Sequence, residues 1–376
     1  MAQTRLAWPD ATRALCVIAV VVYHVLIWNY AWMNSPGAAP GGPWSTVDAI
    51  LGRTRMPVLF ALSGLLASAG ILRGFRRGTA LRRAASNYYL YVVWLLVYIV
   101  FFTLLPSAPF APGGPASWLG QLLLPTSTLW FIFALAIFPL IIVAARALRI
   151  PTAVVFAVAL LAWHLSNTTQ LWAGSDKLLR NFIFFAIGIY AAPLLRRAAT
   201  VRWPVATVFV IVFIVFATAG MTLRLGSLGD AALLMLTNLA ALPAAISAIA
   251  IACRIPAIAR AGGYLGSRTL QVYVLHIPVL AGLTALLSLV ATAIYPLVMR
   301  YPVIDELYPL VLTAVIVAIS LLLGAGITRL TRGRAFALPR RWDAALVARQ
   351  LRAGGPRPVP RRRKTGPPAT PGHVPR

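Results

Sequence analysis

Arg13 and His24 are separated by ten residues. On a helix, eleven steps of 100° return to within about 20° of the starting direction after three turns, so the two side chains share a face, roughly 16 Å apart along the axis. One is a permanent cation, and the other is a base that must be neutral to accept a proton. That face offers anion binding at one level and proton abstraction at another, and direct contact between the two groups is excluded on a straight helix. Few other residues have comparable chemical potential: Ser63 and Cys16 as nucleophiles, Tyr273 and His276 one helical turn apart, Arg53 and Arg55 close together, and Trp130. The four histidines, His24, His164, His276 and His373, are scattered over the chain. Zinc wants three or four close ligands, so no metal site is expected.

The surroundings of these residues make them informative. Of 376 residues, 60% are hydrophobic and 11% charged, against roughly 45–50% and about 25% in a soluble domain. A soluble core cannot absorb that much apolar surface, so lipid is the solvent for most of the chain. Hydropathy and the Pro/Gly-rich breaks predict ten spans near 11–31, 52–72, 86–105, 129–147, 151–167, 179–195, 204–222, 231–252, 269–293 and 308–328. The expected fold is an all-α membrane bundle of about ten helices in one domain, residues 1–332, followed by a basic Pro/Arg-rich, disordered cytoplasmic tail, 333–376, too polar to bury a core. The first span has a basic start, but it carries His24 and lacks a small-x-small site, so it reads as a span and not a cleaved leader.

Charge placement sets the orientation. The chain has 34 Lys and Arg against 7 Asp and Glu, a net +27, which in a soluble protein would suggest nucleic-acid binding. Here 28 of the 34 fall at the termini and on every second connection, and six (Arg53, Arg55, Lys177, Arg180, Arg224, Arg300) fall on the others. This is the positive-inside signature of a multi-pass protein of the cell's inner (plasma) membrane with both termini cytoplasmic. The basic tail is expected to touch anionic lipid, and no nucleic-acid partner is expected. Cys16 and Cys253 then face the reducing side as free thiols. Trp8, Trp44, Trp118, Trp130, Trp172 and Trp203 lie near span ends as interfacial anchors. The Pro/Gly-rich connections at 35–43 and 106–115 cap the outer surface.

A charged group at mid-membrane costs about 2.5–3.5 kcal/mol or more, so polar residues inside spans carry the functional signal. Several short stretches resemble one family. The run from Arg13 to His24 resembles the Arg-x10-His signature in the first helix of the membrane-bound acyltransferase-3 family. Met56-Pro-Val-Leu-Phe-Ala-Leu-Ser-Gly64 is similar to its second-helix Pro-x-Phe-Phe-x-x-Ser-Gly, with Leu59 for the first Phe. Leu129-Trp130-Phe131, Phe184-Phe185-Ala-Ile-Gly188 and the stretch from Leu265 to His276 follow in the family's order, over about residues 8–328. In one place the chain departs: where the family shows a spaced basic pair and a proline, Arg82-Arg83 is followed by Ser86-Asn87-Tyr88-Tyr89.

The resemblance implies acyl transfer, typically of acetyl, from cytoplasmic acyl-CoA to a hydroxyl of a cell-envelope or exported glycan or glycolipid, with no bound cofactor. A thioester is already activated, so the protein needs mainly a base and oxyanion stabilisation. His24 is the expected base, and Arg13 is expected to bind the donor or line its path. For the remaining residues two readings stand side by side. Arg82 and Arg83, with Arg73, Arg76 and Arg77, hold donor phosphates or only set topology. Ser63 and Cys16 carry an acyl-enzyme or merely pack: Ser63 with Gly64 and Ser68 lets helices approach, and Cys16 points about 80° away from His24. Arg53 and Arg55 bind an anionic acceptor or snorkel. Tyr273 and His276 line a cavity or form a structural pair, Trp130 stacks on a sugar or anchors, and His164 is structural. The rival class is a transporter or flippase of an envelope lipid or glycan. It would call for intramembrane carboxylates or repeated halves, whereas Asp10, Asp48, Asp176, Asp230, Asp305, Glu306 and Asp343 all fall at span ends or in loops.

Overall fold

The computed structural model describes residues 7–33, 42–77, 79–105, 115–169 and 174–352, which form helices and connections and no strand. Ten long helices fall on the ten expected spans: α1 (Ala7–Trp28), α2 (Pro43–Ile71), α3 (Ala80–Leu104), α4 (Trp130–Ala147), α5 (Thr152–Thr168), α6 (Ser175–Tyr190), α7 (Trp203–Thr222), α8 (Gly226–Ala252), α9 (Thr269–Ser288) and α10 (Pro302–Leu330). Eight are long and apolar enough to cross a bilayer, and the chain is a multi-pass membrane protein. Helix α5 has only 17 residues, and α6 turns through 82° into the helix Ala192–Ala198. The sixth span therefore ends at Tyr190 and not near 195. Pro193, in the first turn of the following helix, has no N–H with which to continue the ladder. Val208, Ile211 and Val215 of α7 are exposed, as residues facing lipid tails would be.

Helix α1 is enclosed by α2, α8, α9, α10 and the short helix Pro256–Gly266. Small residues allow this. A Cβ on Gly266 would fall on the backbone of Asp10, and one on Gly262 on Ala11. The same device joins α2 to α6, where a Cβ on Gly64 would strike the Phe185 carbonyl oxygen and lie 3.0 Å from Gly188 Cα. Ser68 is buried beside this crossing and bonds the Leu65 carbonyl at 2.8 Å. Packing is thus the role of Gly64.

Prolines inside spans free carbonyls that lipid cannot satisfy. Pro139 in α4 leaves the Leu135 carbonyl without its helical donor, and Asn87 Nδ2 of α3 donates to it at 2.9 Å. Pro278 in α9 frees the Val274 carbonyl, and Tyr98 Oη of α3 donates to it at 2.8 Å. Asn87 sits in the segment where the family motif is departed from, and it has this structural duty.

The expected disordered tail needs correction over residues 333–352. Trp94 Nε1 donates to the Ala335 carbonyl at 2.8 Å and Tyr89 Oη to that of Arg334 at 3.0 Å, while Phe336 packs on Trp94 with ring centres 5.3 Å apart. The helix Arg340–Arg352 then lies along the start of α3, with Asp343 taking both forks of Arg82 and Trp342 set edge-on to Tyr89 at 5.7 Å. Phe336 and Trp342 supply apolar anchors that an average over an Arg/Pro-rich segment conceals. The tail from residue 353, the expected caps at 35–41 and 106–114, and Trp172 lie outside the described residues. Of the expected tryptophan anchors, Trp203 is 66% exposed at the start of α7, whereas Trp8 is buried.

Because the α2–α6 crossing leaves no room for a Cβ, Gly64→Val or Gly188→Val should destabilise the bundle by at least the ~1–3 kcal/mol typical of overpacking. Gly263→Ala, where a Cβ meets nothing within 4 Å, should be silent. Thermal melts in detergent read both, and an unchanged melt for Gly64→Val would show that the two helices can part without cost.

Candidate active site

The centre of the site is a pair of imidazoles from helices far apart in sequence. His24 Nδ1 of α1 lies 3.0 Å from His276 Nε2 of α9, and His276 Nδ1 lies 2.7 Å from the Tyr273 carbonyl and 3.2 Å from that of Val272. Carbonyl oxygens only accept, so His276 Nδ1 carries a proton. With both rings neutral, His276 Nε2 is then an acceptor, His24 Nδ1 donates to it, and His24 Nε2 is left with a bare lone pair. The relay therefore leaves one ring atom of the pair, His24 Nε2, able to accept a proton. His276 is 1% exposed, and Trp28 stacks on the His24 ring at 4.4 Å. Two imidazoles fall short of a zinc site, and no cluster of three or more His, Cys, Asp or Glu occurs among the described residues.

Two cavities meet near this pair. One, of about 380 Å³, is lined by His24, Trp28, Trp130, Trp163 and four cations, Arg53, Arg55, Lys177 and Arg180. The other, of about 250 Å³, lies toward the arginine-rich connections and is lined by Arg13, Ser63, Arg83 and Asn87. Tyr273 lines both. Its ring is edge-on to Phe131 at 5.5 Å, and its hydroxyl donates to the Thr128 carbonyl at 3.1 Å, so the wall between the cavities is a held aromatic side chain. The shared face of α1 thus delivers Arg13 to one chamber and His24 to the other. A larger cleft of about 1140 Å³ between α3, α9 and α10 is lined mainly by aliphatic and aromatic side chains, with neither His24 nor His276 on it.

The remaining candidates separate clearly. Ser63 lines the Arg13 cavity, and its hydroxyl bonds the Leu59 carbonyl one turn back at 2.7 Å. Cys16 is a buried thiol with no disulfide. Arg83 lines the Arg13 cavity, but Arg82 does not, because Asp343 holds it. Asp10 lies 3.8 Å from Arg13. Arg55 sits 3.6 Å over the Tyr23 ring, and Arg53 donates to the Gly220 carbonyl at 3.2 Å. Trp130 lines the His24 cavity, and His164 lines neither cavity. Lys177, Arg180, Trp163 and Asn238 complete the His24 cavity and were not singled out by sequence reasoning. A signal existed, since Lys177 and Arg180 are two of the only six cations that break the charge asymmetry.

No curated protein and no solved structure matches the chain. The model of the acyltransferase-3 family, described as an acyltransferase domain, matches residues 6–329. That span contains all ten helices except the last residue of α10, together with every residue that lines the two cavities. The chain belongs to the acyltransferase-3 family and is a membrane-embedded acyltransferase.

Proposed function

We propose that the protein transfers an acyl group, acetyl in the simplest case, from a cytoplasmic acyl-CoA to a hydroxyl of a cell-envelope or exported glycan or glycolipid, in the inner membrane with both termini cytoplasmic. The observation that carries this reading is the His24–His276 relay, which opens into a cavity walled by tryptophans and cations. His24 Nε2 takes the acceptor hydroxyl proton, and the oxygen forms a bond to the thioester carbon. The tetrahedral oxyanion then collapses, breaking the carbon–sulfur bond, and the proton held by His24 passes to the departing thiolate. Arg55 and Lys177, close enough to act electrostatically on the His24 ring, favour the oxyanion. His276 is a positioning residue: it holds the tautomer and ring orientation of His24. Arg13 and Arg83 bind the donor in the second cavity, and the acyl end passes the Tyr273 wall. Trp130 and Trp163 offer faces on which a sugar ring can stack. The basic tail contacts anionic lipid.

The assay is transfer of radiolabelled acetyl from acetyl-CoA into the lipid and glycan fractions of membranes. His24→Ala should lower transfer ~10²–10⁴-fold at unchanged abundance. His276→Phe should lower kcat with little change in KM, and His276→Gln, whose amide oxygen can accept from His24 Nδ1, should recover part of it. An active His24→Ala beside an inactive Ser63→Ala would make Ser63 a nucleophile and demote the relay. Wild-type membranes that move a glycolipid across the bilayer and transfer no label would overturn the reaction itself.

Orientation has its own test. A cysteine at Leu225, exposed between α7 and α8, should react with an impermeant maleimide from outside intact cells, and one at Ile255, exposed beyond α8, should react only after lysis. The reverse pattern would invert the protein and place the Arg13 cavity outside.

A further inference from the structure

The cavity that holds His24 has an unexplained charge. Four of the six cations that break the charge asymmetry line it, Arg53, Arg55, Lys177 and Arg180, against one carboxylate, Asp176. Asp48, outside the lining, acts on Arg55 electrostatically and offsets it in part, yet a positive excess remains. Topology asks for no cations here, and packing them into about 380 Å³ at low dielectric is repulsive. Their protein contacts position them without cancelling the charge. Arg53 donates to the Gly220 carbonyl at 3.2 Å, and Arg180 donates to that of Ser166 at 2.7 Å and stands 4.0 Å from Asp176.

A second observation points the same way. Arg55 Nη1, Trp163 Nε1 and Asn238 Oδ1 are buried without a hydrogen-bond partner among the described residues, and all three side chains line this cavity. Trp163 is 2% exposed and Asn238 4%. Two of these atoms are donors. A neutral sugar would satisfy hydrogen bonds here and leave the charge, whereas an anionic oxygen accepts from Arg55 and Trp163 and neutralises the cluster. The open Arg55 donor and His24 lie close together: the Arg55 guanidinium is 3.6 Å over the Tyr23 ring, whose centre is 5.2 Å from that of His24.

We infer that the acceptor is an anionic glycan. It carries a carboxylate or phosphate on the sugar that receives the acyl group or on its neighbour, and that group docks on Arg55, Lys177 and Arg180 while a hydroxyl meets His24. This rests on the acyl-transfer reading only in assigning the anion to the acceptor.

The test uses the full chain in nanodiscs with radiolabelled acetyl-CoA and three probe acceptors: methyl glucoside, methyl glucuronoside and glucose 1-phosphate. Equilibrium binding of each labelled probe is measured in parallel without acetyl-CoA. Either charged probe should exceed the neutral one in kcat/KM by at least ~10-fold, the scale of a charge-assisted hydrogen bond, and which of the two leads tells carboxylate from phosphate. The preference should shrink as salt rises and collapse to ~2-fold or less in the Arg55→Gln/Lys177→Gln/Arg180→Gln variant, with Lys177→Gln alone intermediate. Equal use and equal binding of all three probes by the wild type would overturn the inference and leave acyl transfer intact. Displacement of bound glucuronoside by CoA would also overturn it, by assigning the cations to the donor. Salt-sensitive binding of a charged probe that is never acylated would keep the anion site and remove the transferase reading.

Discussion

Inside a bilayer an imidazole N–H that is turned away from any cavity must find its acceptor in the protein. For His24 that acceptor is His276, whose other nitrogen rests on the backbone of α9. Everything around the pair follows from keeping these two helices at hydrogen-bond distance. Gly262 and Gly266 let α1 lie against the helix that leads into α9, and Tyr98 of α3 takes the carbonyl that Pro278 leaves free just beyond His276. One turn of α9 consequently does two jobs: the Tyr273 carbonyl ends the relay and the Tyr273 ring divides the cavities.

The same rule separates polar side chains that serve the scaffold from those that face a substrate. Asn87 and Tyr98 look like candidates for chemistry until their bonds are followed to carbonyls released by Pro139 and Pro278. Ser63 spends its hydroxyl on its own helix. Unsatisfied atoms are few among the described residues, and three of them, on Arg55, Trp163 and Asn238, gather around one space. Open polar atoms gathered on one cavity are the observation on which the proposed anion site rests.

The spans and the face shared by Arg13 and His24 were legible because helical period and lipid length are local rules that tertiary packing does not alter. The partner of His24 was not, since 252 residues separate the two histidines and no local rule sets the neighbour of α1. Lys177 and Arg180 read as flaws in a charge pattern, because a helix end looks the same whether it meets headgroups or a cavity. Arg82 read as part of a donor cluster beside Arg83, and the two diverge because Asp343, far along the chain, claims only one of them. The bend after Tyr190 was hidden by continuous apolarity through Leu195, where hydropathy counts residues and Pro193 decides the path.

The division at Tyr273 also has an electrical side. Where both cavities hold water, the transmembrane voltage falls mainly across the dry protein between them, at the side chain they share, Tyr273. Any ion crossing there exchanges about 2.3 kcal/mol per 100 mV with the membrane. In the proposed transfer only the uncharged thioester end of the donor enters the passage, while its anionic phosphates stay on their own side. The membrane potential then does no work on the transferred group, and the partition that admits it remains an insulator.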